Sequence, residues 1–309
     1  MSAPLQSVLH PAGADAAVIS QFAWVLFGIG ALIFVAVMVL VLLSVRRQER
    51  PVRPALWIAG AGVAFPVVVL TALLAWSTWR SAQLVPQSSH KAMTISVTAK
   101  MWWWEVRYRD PRTGREIVTA NEIHIPVGTP VYLGLNAADV IHSLWVPNLA
   151  GKRDMIPGRV TGLTLRADKP GVYRGQCAEY CGAQHARMAL HVVASQPEEF
   201  DAWLARQAEP AKAPDTPELA LGRAAFLEQR CQACHTIRGV ADGSRLGPDL
   251  THVGSRLTLG AGIVPNDTEN FARWIAKTDQ VKPGVRMPHF GMLPEAELHA
   301  LAVYLESLQ

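Results

Sequence analysis

The sequence predicts a multidomain membrane protein, with a two-helix transmembrane hairpin, then an all-β sandwich, then an all-α domain. The hairpin is predicted because no charged residue occurs between Asp15 and Arg46 or between Arg53 and Arg80. Each stretch exceeds the ~20 apolar residues that cross a bilayer core. Short alternating segments between turn residues predict the sandwich. The 309 residues are enough for two or three domains.

The hairpin is predicted over residues 21–80, with helices at about 21–45 and 56–79. Two buried helices of a soluble protein are a poor alternative, because such helices rarely run so far without a polar face. Residues 1–20 carry neither Lys nor Arg, whereas the connection carries four arginines: Arg46, Arg47, Arg50 and Arg53. The positive-inside rule therefore assigns this loop to the cytoplasm, and both termini and the soluble domains to the extracytoplasmic (periplasmic) side of a bacterial inner membrane.

Residues 90–196 are predicted to form the sandwich. Ile95 and Val97 share one face of a first strand, and Trp104 and Tyr108 share one face of a second. The predicted strands cover residues 93–100, 104–109, 116–125, 130–136, 161–166, 171–176 and 187–194. Turn residues such as Pro157-Gly158 and Lys169-Pro170-Gly171 separate several of them.

Residues 197–216 are predicted as a short helix followed by a proline-rich linker, which favours an extended spacer. Residues 217–309 are predicted as a helical domain, in which Thr216 and Pro217 resemble the N-cap and first position of a helix. The last segment carries leucines at helical spacing, namely Leu298, Leu301, Leu305 and Leu308. The net charge of +4 is modest and includes the loop arginines, so it gives no argument for a nucleic-acid partner.

The segment from Cys177 to Met188 concentrates metal ligands. Its thiols, imidazole and thioether are soft or borderline donors, which favour copper over magnesium or calcium. Two thiolates four residues apart can bridge a pair of copper ions, with one histidine for each ion and weak axial donors from Met188 and the Glu179 carbonyl. The side-chain candidates are Cys177, Cys181, His185, Met188 and, upstream, His142.

Three alternatives remain for this segment. A tetrahedral zinc site from both cysteines, His142 and His185 is possible, but it gives no role to Met188. A mononuclear copper site leaves one cysteine unexplained. A disulfide between the two cysteines leaves the histidine and methionine spacing without a reason.

A second cysteine pair, Cys231 and Cys234, is followed directly by His235. This pattern is the attachment signature of a c-type haem, and a C-x-x-C redox pair is the alternative. Copper and haem in one chain, behind two membrane spans, indicate electron transfer.

Together these features resemble subunit II of the haem–copper oxidases, in the cytochrome c oxidase branch, over most of residues 20–200. The resemblance is carried by the hairpin, the run Trp102-Trp103-Trp104, the segments 139–143 and 154–159, and the loop 177–188. It implies a cupredoxin-like sandwich with a binuclear copper A centre, to which a c-type cytochrome domain is fused in this chain.

The resemblance also implies roles for individual residues. It implies that Trp102 is the residue through which electrons reach the copper centre, whereas Trp103 and Trp104 pack. The Glu179 side chain is implied to reach a magnesium ion shared with the catalytic subunit. The implied copper A ligands are His142, Cys177, Glu179 through its carbonyl, Cys181, His185 and Met188.

In the C-terminal domain, Cys231 and Cys234 would hold the haem covalently and His235 would bind its iron. The segment 247–250 resembles the cytochrome c loop in which a proline carbonyl, here that of Pro248, orients the proximal histidine. The segment 282–288 resembles the distal loop of small bacterial cytochromes c. Met287 is therefore implied as the second iron ligand, with Met292 as the alternative.

By resemblance, the chain is an electron-transfer subunit of cytochrome c oxidase, a proton-translocating terminal oxidase. Electrons would pass from haem c to copper A and on to a catalytic subunit that reduces dioxygen to water, and no catalysis is expected from the isolated chain. The implied partners are oxidase subunit I, other oxidase subunits, membrane lipid and a periplasmic cytochrome c or other electron donor. Two alternatives remain: the small subunit of a copper-A-containing nitric oxide reductase, and a membrane-bound electron carrier without a catalytic partner.

The second span departs from the family pattern. Alignment on Pro66 places Ala59 where the family usually has a glutamate that feeds a proton channel of the catalytic subunit. No acidic residue occurs from Leu56 to Trp79. Either another subunit supplies the carboxylate or the proton pathway differs.

Overall fold

The computed structural model describes residues 6–46, 53–82, 93–110 and 113–309. It divides into two compact units, one of residues 15–87 and one of residues 1–14 together with 88–309.

The first unit is a pair of long helices, α1 (Ala14–Arg46) and α2 (Pro54–Ser81), both long and apolar enough to cross a membrane. Helix α1 begins at Ala14, earlier than the predicted start at residue 21. Asp15 lies in its first turn, where a carboxylate is favourable beside the helix dipole. The expected N-terminal segment 1–20 is therefore partly helical. Arg47 and Arg50 of the predicted cytoplasmic loop lie outside the described residues.

Helix α2 contains a π-helical stretch, Trp57–Ala64. Ala59, the position of the missing glutamate, lies within this stretch. A π-helical turn inside an α-helix is rare and is frequently found at functional sites.

The second unit contains the predicted sandwich, built from two five-stranded sheets. The first sheet has the order β3-β2-β1-β5-β8, and its strands are β1 (Met93–Lys100), β2 (Trp103–Arg109), β3 (Glu116–Ala120), β5 (Val131–Ala137) and β8 (Thr161–Leu165). The second has the order β4-β10-β9-β6-β7, and its strands are β4 (Glu122–Pro126), β6 (His142–Trp145), β7 (Arg153–Met155), β9 (Gly171–Cys177) and β10 (Ala189–Ser195).

The inward faces match the predicted alternation. Ile95 and Val97 on β1 are fully buried, as are Trp104 and Val106 on β2. Tyr108 is also buried, and its hydroxyl accepts from the His124 backbone N–H at 2.7 Å. The core therefore fills the space between the two sheets.

The prediction of a single strand over 116–125 was wrong. Asn121 has a φ of 64°, and this left-handed residue separates β3 from β4, which belong to different sheets. The Asn121 side chain accepts from the Trp104 N–H at 3.0 Å, which fixes the change of sheet. Strands β6 and β7 were not predicted, because each is too short to show alternation.

The C-terminal residues form a separate helical core, as predicted. Its helices are α4 (Pro217–Glu228), α5 (Thr268–Ala276), α6 (Thr278–Val281) and α7 (Glu295–Ser307), with a short hairpin of β11 (Thr258–Leu259) and β12 (Val264–Pro265). The Thr216 side chain accepts from the Leu219 N–H at 3.2 Å and caps α4. A Cβ added to Gly222 would lie 2.1 Å from the Ala300 carbonyl oxygen, so α4 and α7 approach closely.

Helix α3 (Pro197–Ala208) and the segment after it connect the two cores. The Ala211 N–H donates to the Arg238 carbonyl at 3.0 Å, and Arg238 Nη2 donates to the Gln207 carbonyl at 2.5 Å. His252 Nε2 lies 2.9 Å from the Glu209 carbonyl oxygen. The first part of the proline-rich linker is therefore fastened to the helical domain.

Candidate copper and haem sites

Sheet register assembles the first site. In the antiparallel pairing of β6 with β9, Leu144 lies opposite Cys177. His142 begins β6 and Cys177 ends β9, so both lie at the same edge of the sheet. The chain then passes through Cys181 and a 3₁₀ turn, His185–Arg187, before β10 begins.

The predicted donor atoms converge at this edge. The Sγ atoms of Cys177 and Cys181 are 3.8 Å apart. Each thiol has its own histidine, because Nδ1 of His142 lies 3.7 Å from Cys177 Sγ and Nδ1 of His185 lies 3.7 Å from Cys181 Sγ. Met188 Sδ lies 3.9 Å from Cys181 Sγ. The arrangement is a pair of sulfurs with one imidazole on each side.

The Glu179 carbonyl oxygen is also within 3.2 Å of Cys177 Sγ. This donor set exceeds the four ligands of a structural zinc site. The sulfur separation is far above the ~2.05 Å of a disulfide bond. The donors therefore fit a binuclear copper centre better than a zinc site or a disulfide.

The site is shielded from water, since His142, Cys177, Cys181 and Met188 are each at most 5% exposed. The hydrogen bond from the Cys181 thiol lowers the pKa of Cys177 well below that of a free thiol. The same bond and burial raise the pKa of Cys181. One thiolate is therefore already favoured, and a bound cation would favour the second.

Asp139 orients the first histidine. Its carboxylate Oδ1 lies 2.9 Å from Nε2 of His142, and its Oδ2 accepts from the Met101 backbone N–H at 2.8 Å. Burial lowers the pKa of His142, but its bonds to Cys177 and Asp139 outweigh burial and the net pKa is raised. A proton held on Nε2 leaves the Nδ1 lone pair directed at the sulfurs.

Trp102 contacts the copper loop directly. Its indole Nε1 donates to the Cys181 carbonyl at 2.8 Å, so the ring is hydrogen-bonded to a candidate ligand residue. Trp102 lies in the turn before β2 rather than on the strand, so it does not share a strand face with Trp104. The Lys100 ammonium lies over the Trp103 ring, 4.8 Å from the ring centroid. Trp104 is buried in the core.

The predicted haem residues also come together. Cys231–Ala233 form a 3₁₀ turn, and the His235 backbone N–H donates to the Cys231 carbonyl at 3.0 Å. His235 Nδ1 lies 2.8 Å from the Pro248 carbonyl oxygen, as expected for an oriented iron ligand. Burial lowers the pKa of His235, which favours the neutral, ligating imidazole.

The distal candidates differ in burial. Met287 is partly buried and packs against the helical core, whereas Met292 is 72% exposed. A Cβ on Gly247 would lie 2.6 Å from the His235 ring, so a glycine is needed beside the proximal histidine. The residues fit a covalently attached haem with His235 and Met287 as its candidate iron ligands.

Two models of known families match this chain. The model described as the cytochrome c oxidase subunit II periplasmic domain matches residues 106–195, and the model of cytochrome c matches residues 219–309. The cytochrome c oxidase subunit 2 of Bacillus subtilis is 30% identical over 257 residues, which cover 80% of this chain and 70% of that protein.

The chain belongs to the cytochrome c oxidase subunit II family.

Another member, the cytochrome c oxidase subunit 2 of Alkalihalophilus pseudofirmus, is 36% identical over 72% of this chain and 64% of that protein. The match thus spans just under two thirds of that relative's length. Among solved structures, the periplasmic domain of subunit II of cytochrome oxidase from Bradyrhizobium japonicum is 31% identical, with 40% of this chain and 96% of that chain covered and a TM-score of 0.36. Membership of the family rests on the sequence relatives.

As a subunit II family member with two apolar helices, the chain is a membrane protein with a periplasmic domain. Copper A and haem c are the cofactors that its two matched domains imply. The Glu179 carboxylate is partly exposed and lies 3.5 Å from the Lys152 ammonium.

The role of Asp139 was not predicted from the sequence. Its position three residues before His142 could have indicated a hydrogen bond between the two side chains. We expect Asp139→Asn to weaken copper binding by roughly 10–100-fold, because the amide cannot hold the His142 tautomer as the carboxylate does. Copper titration with a competing chelator measures this affinity. Asp154→Asn on β7 is a matched control, and equal losses in the two variants would contradict the orienting role.

Proposed function

We propose that this chain is the electron-relay subunit of a cytochrome c oxidase. It would take electrons from a donor at its own c-type haem, pass them to copper A, and deliver them to subunit I, where dioxygen is reduced to water. The isolated chain would perform no oxygen chemistry.

The observation that carries this proposal is the convergence of two thiols, two imidazoles, a thioether and a carbonyl at one sheet edge. Two copper ions bound there would share one electron, so that little geometry would need to change on transfer. The protein's part is to hold the ligands rigidly. Strands β6 and β9 fix His142 and Cys177, and Asp139 fixes the imidazole.

Trp102 is the proposed residue through which electrons reach this centre. Its indole Nε1 is hydrogen-bonded to the Cys181 carbonyl at 2.8 Å, and a Cβ added to Gly284 of the helical domain would lie 3.7 Å from the same ring. In the helical domain, His235 and Met287 would hold the haem iron and Cys231 and Cys234 would hold its edge. His/Met ligation raises the haem potential.

Several finer features belong to the same proposal. The Glu179 carboxylate would contribute to a magnesium site shared with subunit I, after exchanging its bond to Lys152 for the cation. The complex would translocate protons without the usual carboxylate at Ala59. The donor would be a periplasmic cytochrome c or another electron donor, and both termini of this chain would face the periplasm.

The test is to isolate the complex from membranes by a tag on this chain, supply reductant, and measure dioxygen and nitric oxide consumption. We expect cyanide-sensitive dioxygen uptake with little nitric oxide turnover. Nitric oxide turnover without dioxygen uptake would instead indicate the reductase subunit. The absence of both, together with the absence of a large multi-span haem protein, would indicate a carrier without a catalytic partner.

The proposed orientation predicts a protease-sensitive site. Lys212 is exposed in the linker between α3 and α4, so trypsin added to intact spheroplasts should release a haem-stained C-terminal fragment. Lys212→Gln is the control and should lose that fragment. Protection of the linker until the membrane is permeabilised would indicate the opposite topology, with the linker on the cytoplasmic side.

A further inference from the structure

The helical domain lies directly against the copper loop. The Ala189 N–H, next to the ligand Met188, donates to the Ala261 carbonyl at 3.0 Å. Gln184 Nε2, next to the ligand His185, donates to the Pro283 carbonyl at 2.7 Å. The haem-bearing half of the chain therefore bonds to residues adjacent to two copper ligands.

Lys282 lies at the centre of this contact. Its side chain is buried, with 1% of the residue exposed. Its ammonium donates to the Gly260 carbonyl of its own domain at 2.7 Å. It also donates across the interface, to the carbonyls of Trp102 at 2.8 Å and Arg187 at 2.9 Å. These three acceptors use every donor of the ammonium group.

All three hydrogen bonds of the buried Lys282 amino group go to backbone carbonyls. Within the part of the chain that the structure describes, no carboxylate lies within ion-pair distance of Lys282. Burial lowers the pKa of Lys282 to about 7, and lysine is rarely buried to this degree without a charged partner. A buried charge is a weak source of stability but can specify one arrangement of two surfaces.

Further bonds hold the same arrangement. Glu122 is 4% exposed, and its Oε1 accepts from the Leu257 backbone N–H at 2.5 Å across the interface. At the solvent-exposed rim, Arg245 Nη2 lies 3.5 Å from the Glu116 carboxylate. Ala211 and Glu209 are also hydrogen-bonded to the helical domain, so the part of the linker that follows α3 is held against that domain.

We propose that Lys282 is a positioning residue that holds the haem-binding domain in one docked arrangement against Trp102, so that electron transfer within the chain needs no swing of that domain on its linker. This inference rests on the proposed relay function. It adds that the haem-binding domain stays docked against Trp102 while the electron is transferred. An external donor would therefore deliver electrons to residues 217–309 and not to Trp102.

The wild-type complex provides the first test. Haem c is photoreduced in the complete complex, and the transfer of its electron to the copper centre is followed over a range of viscosity and ionic strength. A fixed dock predicts a single phase whose rate does not change with either variable, because no diffusive domain motion precedes transfer. A rate that falls as viscosity rises would overturn the proposal without any variant.

The second test replaces Lys282 by methionine, which keeps the chain length and removes the three donors. We expect Lys282→Met to shift the docked population by roughly tenfold, in line with the loss of a hydrogen bond from a charged donor. A slow, viscosity-dependent phase should then appear while the midpoint potential of the haem stays unchanged. Lys277→Met, at an exposed lysine of the same domain, is the matched control and should behave as wild type.

Hydrogen exchange gives a readout independent of electron transfer. The Ala189 amide should exchange faster in Lys282→Met than in Lys277→Met, because its acceptor is in the other domain. Wild-type kinetics and wild-type exchange in Lys282→Met would overturn the positioning role. If haem and copper are both present but no electron passes between them in the wild type, the proposed relay itself fails, and that outcome is distinct from a change in docking.

Discussion

Replacing Cys177 by serine is expected to abolish the binuclear copper site. The hydroxyl is a hard donor that stays protonated at neutral pH, so the bridging thiolate is lost and the bond to His142 Nδ1 loses its partner. Copper per chain should fall from two to none in the purified full-length chain. Electron transfer out of the haem should slow by more than the roughly 10–100-fold that is typical when a residue hydrogen-bonded to a metal ligand is lost.

The measurement is elemental copper against covalently bound haem, which serves as an internal standard. Haem content should be unchanged, because the helical domain has its own core, which includes Phe226 and Tyr304. Full copper content in Cys177→Ser would contradict the assignment of this thiol as a bridging ligand.

The reciprocal variant, Cys231→Ala with Cys234→Ala, is expected to abolish covalent haem attachment and leave copper binding intact. Cys231 begins the turn that precedes His235 and Cys234 follows it, and thioether formation requires both thiols. Turnover supported by an external donor should fall to the level measured without that donor, since the proposed route to Trp102 begins at the haem.

Haem staining on a denaturing gel is the measurement, and copper content is the control. Persistent staining of the double variant would refute the attachment site. Turnover at the wild-type rate without haem would show that an external donor reaches Trp102 directly, contrary to the docked arrangement held by Lys282.

The candidate metal-binding and haem-binding residues could be named from the sequence because their chemistry is local. Cys177, Cys181, His185 and Met188 lie within one loop, and Cys231, Cys234 and His235 lie within one turn. A short spacing of soft donors specifies a ligand set before any fold is known. Two uncharged spans likewise predicted the hairpin, because the bilayer demands only length and apolarity.

Contacts between residues distant in sequence were not predictable. The prediction of one strand over 116–125 was wrong because Asn121 adopts a left-handed conformation, which the side-chain alternation does not reveal. Strands β6 and β7 are too short to carry a periodic signal. The contact between Trp102 and the copper loop depends on a turn outside the strand, because β2 begins one residue later, at Trp103.

The sequence by itself determined the kinds of domain, their order, and the donor atoms of both proposed sites, because these depend on composition and short spacing. Only the tertiary structure decided that His142 meets Cys177, since that contact depends on the register of β6 against β9. It also decided that Asp139 holds the His142 imidazole and that Lys282 joins the two domains. A hydrogen bond across 180 residues of sequence leaves no periodic trace in the chain, because it depends on how two separately folded surfaces meet.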